Sequence, residues 1–313
     1  MIGVVSLNSS VDIHYRLDRF YRNGLFRTEP PIKTPGGKGI NVARVIHSLG
    51  ETVVATGFIG GPGGSFIERE LEFLGIDSEF TYISSETRSC IAIIDGEGGQ
   101  TELLEKGPAI KTEEQERFEA AFDSLTRSCG IICASGSLPQ GLDSGYYGKL
   151  AERARRSKLK FLLDTSGEAL KAAIAARPYL IKPNRDEIGQ MLGKSIESKQ
   201  QLIKSLKELD GLGIDVILVS LGSEGALLLY QSCIYEIAVP RICAVNTVGS
   251  GDSMVAGIAA GLHRGLAVPE AVRLGAACGT ANALSRRTAE VDRDILNKIY
   301  DEVKIIRCEA RDS

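Results

Sequence analysis

The run Asn246-Thr-Val-Gly-Ser-Gly-Asp-Ser-Met-Val-Ala-Gly-Ile-Ala-Ala-Gly-Leu262 limits the fold more tightly than any other part of the sequence. Gly249 and Gly251 make a turn that other residues would crowd, and an apolar helix beginning near Asp252 follows it. Such a turn gathers unpaired backbone N–H groups and the positive end of a helix dipole at one point, which suits a phosphate or a developing oxyanion. Asp252 has two compatible readings. It caps the helix, the common role of an Asp between a glycine turn and an apolar run, or it takes the proton from a hydroxyl attacking a phosphorus whose charge the turn stabilises.

A second glycine turn opens a helix near the other end of the chain, Pro35-Gly-Gly-Lys-Gly-Ile-Asn-Val-Ala-Arg-Val-Ile-His-Ser-Leu-Gly50. Its apolar face is Ile40, Ala43, Val45, Ile46 and Leu49, with Gly50 past the end. Lys38 and Asn41 make the turn either a structural one with a solvated lysine or a polar cradle for a hydroxylated or phosphorylated ligand.

Between the two turns, short apolar runs alternate with helical patterns. Strands are expected at Ile2–Leu7, Thr52–Gly57, Glu79–Ile83, Gly130–Ala134, Lys160–Asp164, Tyr179–Lys182 and Val216–Val219, with Ala226–Leu229 as an antiparallel neighbour. Helices are expected over Phe66–Leu74, from a Thr112/Gln115 capping box to Ser128, and over Tyr146–Ser157, Glu168–Ala176, Pro269–Leu284 and Ile295–Ile306. This is the βαβ rhythm of an α/β protein with a parallel sheet. Two segments interrupt it, the ragged 13–33 and a hairpin of Ser89–Asp95 and Thr101–Leu104 around Gly96-Glu-Gly-Gly99; together they suggest a small projecting sheet with Arg88 at its root.

Ligands of open α/β sheets sit at the carboxyl ends of the strands, so residues there are site candidates. Asn8 and Asp12 follow the first strand, with Asp12 either a ligand contact or a plain turn cap. Gly136-Ser-Leu-Pro139 follows another, where Ser137 is either a ligand contact or a turn residue. Asn184 and Glu187 lie three apart at a helix entry, as oxygens for a hydrated Mg²⁺ or as ordinary first-turn residues. The glycines of Ser220-Leu-Gly-Ser-Glu-Gly225 leave room for a nucleotide.

With 313 residues, 43% hydrophobic and 25% charged, the chain can bury a full core. A net charge of -3 points to neither nucleic acid nor an anionic membrane, and no signal peptide or apolar run near the ~18 residues of a membrane span is present. The cytoplasm is the expected location. Seven scattered cysteines without C-x-x-C pairs fit neither a disulfide framework nor a zinc site, and three histidines lack ligand spacing. Neither G-x-x-x-x-G-K-[ST] nor G-x-G-x-x-G occurs, which disfavours a P-loop enzyme or a Rossmann dehydrogenase.

Gly36-Gly-Lys-Gly-Ile-Asn41, Asn184-Arg-Asp-Glu187 and Asn246-Thr-Val-Gly-Ser-Gly-Asp252, in that order, resemble the PfkB, or ribokinase-like, family of carbohydrate kinases over essentially the whole chain. Leu7-Asn-Ser-Ser-Val-Asp12, Thr87-Arg88 and Gly136-Ser-Leu-Pro-Gln-Gly141 are similar to its hexose-phosphate branch. Arg88-Ser-Cys-Ile-Ala-Ile and Gln100–Pro108 lean toward the branch's tagatose 6-phosphate enzymes, Thr247 toward its fructose 1-phosphate enzymes.

The resemblance implies one domain over 1–313, a three-layer α/β/α core with a small β-sheet lid formed by about 12–34 and 86–105, and a homodimer through the lid. It implies ATP-dependent phosphorylation, with Mg²⁺, of the primary hydroxyl of a ketohexose monophosphate: tagatose 6-phosphate first, fructose 1-phosphate as the alternative, fructose 6-phosphate still open. By motif, Asp252 would be the base and Gly249, Ser250 and Gly251 the anion hole. Asn184 and Glu187 would hold the metal through water, and Asn184, Ser220, Gly222, Gly225 and Asn282 would lie along the nucleotide. Asp12, Gly37 and Asn41 would hold sugar hydroxyls; Lys38, Arg88 and Ser137 the substrate's phosphate; and Arg27 would reach across a dimer. A reading from another class is a sugar-phosphate sensor that kept the fold without the chemistry.

Overall fold

Apolar runs without polar alternation are stable as strands only when both sheet faces are covered, and the intervening helices supply the covers. The computed structural model describes residues 1–97 and 99–308, and in it helices flank a central sheet on both sides. In chain order the elements are β1 (Ile2–Ser6), β2 (Ser10–Leu17), β3 (Ile32–Gly36), α1 (Lys38–Ser48), β4 (Val53–Ile59), α2 (Gly61–Phe73), β5 (Asp77–Tyr82), β6 (Arg88–Asp95) and β7 (Gln100–Leu104). There follow α3 (Thr112–Ser128), β8 (Ile131–Ser135), α4 (Tyr146–Arg156), β9 (Lys160–Asp164), α5 (Gly167–Ile174), β10 (Leu180–Ile181), α6 (Arg185–Leu192), α7 (Lys199–Leu209) and β11 (Val216–Ser220). The chain closes with β12 (Ala226–Tyr230), β13 (Cys233–Ala238), α8 (Ser250–His263), α9 (Val268–Leu284), α10 (Arg293–Glu302) and β14 (Lys304–Arg307).

The large sheet has the order β14-β13-β12-β11-β10-β9-β8-β1-β4-β5. It is parallel from β11 to β5 and antiparallel from β11 to β14. Side chains of β1 alternate between the two cores: Val4 joins α1, α8 and α9, and Val5 joins α3, α4 and α7. The helices α1 and α8 begin at the carboxyl edge of the parallel strands, so both glycine turns meet the ends of β1, β8, β9 and β10.

The second sheet, β3-β2-β6-β7, comes from the two segments that interrupt the alternation. Val11 and Ile13 turn one of its faces to the main core, while the register sets Asp12, Ile32 and Leu104 on the other.

Several expectations need correction. The closing helix expected over 295–306 stops at Glu302, and Lys304–Arg307 pairs with β13, because an open sheet edge offers backbone partners that a helix end cannot. The α3 box lies one residue earlier than Thr112/Gln115: the buried Glu114 carboxylate accepts from the N–H of Lys111 at 2.8 Å and of Ser84 at 2.7 Å. Helix α2 begins five residues before Phe66, through a glycine-rich start with Pro62 in its first turn. Helix α7 and strand β13 were not anticipated, although the Ser198/Gln201 box and the spacing of Leu202, Leu206 and Leu209 mark the helix. Gly98 of the expected hairpin turn lies outside the described residues.

Candidate functional site

Gly249 is the N-cap of α8, at φ 79 in the left-handed region, and a Cβ there would lie 2.8 Å from Thr288 Cγ2. The Ser250 N–H donates to Thr247 O at 3.2 Å, whereas the N–H groups of Gly249, Gly251 and Asp252 have no acceptor among the described residues. Three of the turn's donors thus stand open at the positive end of the helix. Ser250's backbone, expected among them, is not one; its hydroxyl accepts from Asn282.

Asn282 corrects a second expectation. It is fully buried, donating to Val248 O at 2.9 Å and Ser250 Oγ at 3.1 Å and accepting from the Ala289 N–H at 2.9 Å. Its amide fixes the turn from behind, with both Nδ2 hydrogens and one Oδ1 lone pair engaged there.

Asp252 is not the helix cap. It sits in the first turn, 5% exposed, and its Oδ2 accepts from Asn41 Nδ2 at 2.9 Å, a bond that joins the two glycine-turn helices. Burial, then the neighbouring Asp164, push its pKa up to about 6, against the Asn41 bond and the charges of Lys38 and Lys182. A carboxylate so placed accepts a proton near neutral pH far more readily than an exposed Asp.

Around it stands a cluster that sequence reasoning missed in part. Lys182, one residue past β10, lies 3.3 Å from Asp164 Oδ2 at the end of β9, and both are almost wholly buried. The same ammonium lies 3.4 Å from where a Gly251 Cβ would be, directly against the turn. Asp164 Oδ2 has no hydrogen bond of good geometry. A charge closing an apolar run, in Lys160-Phe-Leu-Leu-Asp164 and Leu180-Ile-Lys182, was the available signal. The Lys38 side chain, open to solvent, has its pKa raised by Asp164 first and also by Asp252 and Glu187. Its charge therefore feels the Asp252 end of the site, while its Cβ lies 3.6 Å from where a Gly136 Cβ would be, beside Ser137.

Those residues form a second cluster. Asn8, 6% exposed, accepts on its backbone oxygen from Arg88 Nε at 3.3 Å and Nη2 at 3.1 Å, and its Nδ2 donates to Ser137 Oγ at 3.0 Å. Asp12 lies between the clusters. Its carboxylate rests over Gly36, where a Cβ would come within 2.1 Å of Cγ, and accepts from Ser10 Oγ at 2.7 Å. Burial raises its pKa, opposed by that bond and by the charges of His14, Arg88 and Arg44. Gly37, at φ 94, opens α1 against Asn8 and Ser9.

Asn184 and Glu187 form a capping box: Asn184 Oδ1 accepts from the Glu187 N–H at 2.9 Å and Glu187 Oε2 from the Asn184 N–H at 2.8 Å. One carboxylate oxygen of Glu187 stays available toward the Lys38 side. Among the described residues no group of three or more His, Cys, Asp or Glu forms a metal cage. The hard oxygens of Asp164 and Glu187 suit a hydrated Mg²⁺ arriving with phosphates, and Asp164 Oδ2, ion-paired with Lys182 but without a hydrogen bond of good geometry, fits that use. Ser220 bridges Asn184, and Gly222 faces open space. Gly225 is required for another reason than access, since a Cβ there would lie 2.0 Å from Ile237 O. Arg27 is exposed in the loop between β2 and β3, away from these clusters' hydrogen bonds.

The pattern described as pfkB family carbohydrate kinase matches residues 4–294. The tagatose-6-phosphate kinase of Staphylococcus epidermidis is 40% identical over 98% of this chain and 99% of its own. Phosphofructokinase-2 of Escherichia coli, in a complex with potassium, superposes with TM-score 0.90 at 29% identity, covering 96% of this chain and 98% of that one. A Thermotoga maritima protein named "Possible 1-phosphofructokinase" superposes with TM-score 0.90 at 26% identity, covering 99% and 100%.

Proposed function

This chain belongs to the pfkB family of carbohydrate kinases, and from that membership we propose that it transfers the terminal phosphoryl group of ATP to the primary hydroxyl of tagatose 6-phosphate, giving a bisphosphate. The observation that carries the reading is the buried Asp252 carboxylate beneath open backbone N–H groups, separated from a second cluster suited to a phosphate already on the substrate.

Asp252 takes the hydroxyl proton as the oxygen attacks the phosphorus and ADP leaves. The N–H groups of Gly249 and Gly251, with Lys182 and Lys38 beside them, oppose the negative charge gathered on the moving phosphoryl group. Asn41 orients Asp252 and, with Asp12 and the Gly37 turn, holds sugar hydroxyls. Arg88 and Ser137 hold the resident phosphate, which carries about -1.5 to -2 charges. Glu187, with Asn184 at the same helix start, and Asp164 would hold a nucleotide-borne Mg²⁺, which would neutralise phosphate charge. The nucleotide lies past Ser220 and Gly222 at the open edge, while Asn282 keeps the turn in shape. The lid sheet excludes water from the reaction.

ADP release with MgATP against tagatose 6-phosphate, fructose 1-phosphate, fructose 6-phosphate and the free sugars tests this. Tagatose 6-phosphate is expected to lead by about a hundredfold in kcat/KM over tagatose, the worth of two charge-assisted contacts. Tight sugar-phosphate binding without ADP release would favour a sensor. Preference for fructose 1-phosphate would favour the second reading, which Thr247 and the Thermotoga maritima likeness support.

A homodimer through the lid fits Ile32 and Leu104, 56% and 63% exposed on the Asp12 side of the sheet. Leu104→Glu is then expected to lower the sedimentation coefficient; an unchanged coefficient would reject that interface. Seven unpaired cysteines suit the cytoplasm.

A further inference from the structure

Asn8 joins three parts of the molecule that are distant in sequence. Its backbone oxygen holds Arg88, the first residue of β6, where the chain enters the lid hairpin. Its Nδ2 donates to Lys106 O at 3.3 Å, just past β7, where the chain leaves that hairpin. The same Nδ2 donates to Ser137 Oγ, in the core turn after β8. Arg88 also donates to Glu105 O at 2.9 Å, and the Glu105 carboxylate accepts from the Ser89 N–H at 2.8 Å, so the two roots are tied to each other as well.

Arg88 also takes part in the lid's register. Ser10 on β2 is paired with Arg88 on β6, and the Ser10 hydroxyl holds Asp12. A line of contacts therefore runs from the core at Ser137 through Asn8 and Arg88 to the carboxylate proposed for the sugar hydroxyls. A guanidinium carries five N–H groups, and three atoms of Arg88 donate to carbonyls, so N–H groups remain for an anion. An anion between Arg88 and Ser137 would fasten a lid residue to a core residue without touching the Asp252 end.

We propose that Arg88 and Ser137, both held by Asn8, form an activating site for a tetrahedral dianion, whose occupancy is passed through Asn8 to the lid and to Asp12. The inference rests on the kinase reading above. Binding energy from a non-reacting phosphate is then used to assemble the other end of the site, and a free dianion can do the same without a covalent link to the sugar. Asn8 is a positioning residue; it touches neither the reacting hydroxyl nor the moving phosphoryl group.

The test supplies the two pieces separately. The enzyme is given MgATP, unphosphorylated D-tagatose and phosphite dianion, with ADP release and sugar phosphate both measured. The balanced reaction is ATP plus tagatose to ADP, tagatose 1-phosphate and a proton, with phosphite unchanged. Phosphite is expected to raise kcat/KM for tagatose saturably, by about tenfold or more. In Asn8→Ala and Asn8→Asp the ratio of rates with and without phosphite is expected to fall to about one; comparing within each variant cancels a general loss of activity. Should those variants not fold, Ser10→Ala breaks the same line at its far end, without touching the dianion, and is expected to lose the ratio. Inhibition or no effect by phosphite, in enzyme that turns over tagatose 6-phosphate, overturns the proposal and leaves the kinase reading intact. Activation that survives in folded Asn8→Ala also overturns it. Inactivity on every ketohexose phosphate would instead overturn the kinase reading.

Discussion

The two ends of the cleft are built differently. The Asp252 end consists of helix starts and strand ends packed in the main core, where Asp252 with Asn41 and Asp164 with Lys182 form two nearly buried pairs, one joining α1 to α8 and the other the ends of β9 and β10. The Arg88 end straddles the junction of two sheets, and its members are the half-exposed Arg88, held on the carbonyls of Asn8 and Glu105, and the exposed Ser137, held by the Asn8 side chain. Chemistry that needs a preorganised charge suits the first construction, and selection of a substrate by its remote phosphate suits the second. Substitutions at the two ends should therefore fail in different ways.

The largest effect is expected from Asp252→Asn, with kcat reduced by about a thousandfold and KM for the sugar phosphate nearly kept, as stopped assays at saturating substrate would read. Stability should move the other way. Because the folded protein raises the pKa of Asp252, the protonated form favours folding; that contribution is complete below the unfolded value near 3.8 and is lost as pH rises through about 6. The Asn variant is thus expected to melt no lower than the parent at pH 8.

Next in size is Lys182→Met, which leaves Asp164 buried without its cation. A loss of about 3–5 kcal/mol of stability in denaturant titrations is expected, together with a lower kcat. Full stability would mean that the pair is better solvated than its burial implies.

Arg88→Ala should act at the other end, raising KM for the sugar phosphate by roughly 10–100-fold, as expected for one charge-assisted contact, with a smaller change in KM for ATP. The smallest effect is a displacement. In the parent, kcat/KM should fall below about pH 6 as Asp252 protonates, and Asn41→Leu, by removing a bond that lowers that pKa, should move the fall to higher pH. A pH profile shifted downward would break the link between the two helices' side chains.

The difference between the ends also explains what was legible in the sequence. Local signals survive at the Asp252 end: a glycine turn, an apolar helix and a carboxylate within four residues declare themselves in one stretch. The strand-and-helix alternation was legible for the same reason, since each run carries its own period. What was obscure depends on contacts far apart in the chain. Asn8 shares bonds with Arg88, Lys106 and Ser137, separated from it by 80, 98 and 129 positions, and no spacing rule reaches that far. Lys38 illustrates the limit, since its motif predicts a cation at an anion site but only the fold brings Asp164, Asp252 and Glu187 close enough to act on its charge. Asn282 shows the reverse case, a residue picked out correctly as important whose amide turns inward to hold the turn.

The most direct test of this division is one ratio, kcat/KM for tagatose 6-phosphate over kcat/KM for tagatose, measured in the parent, Asp252→Asn and Arg88→Ala. Asp252→Asn is expected to lower both rates together and leave the ratio near its parent value, while Arg88→Ala collapses it toward one. A ratio that collapses in Asp252→Asn, or persists in Arg88→Ala, would contradict the separation of chemistry from selection.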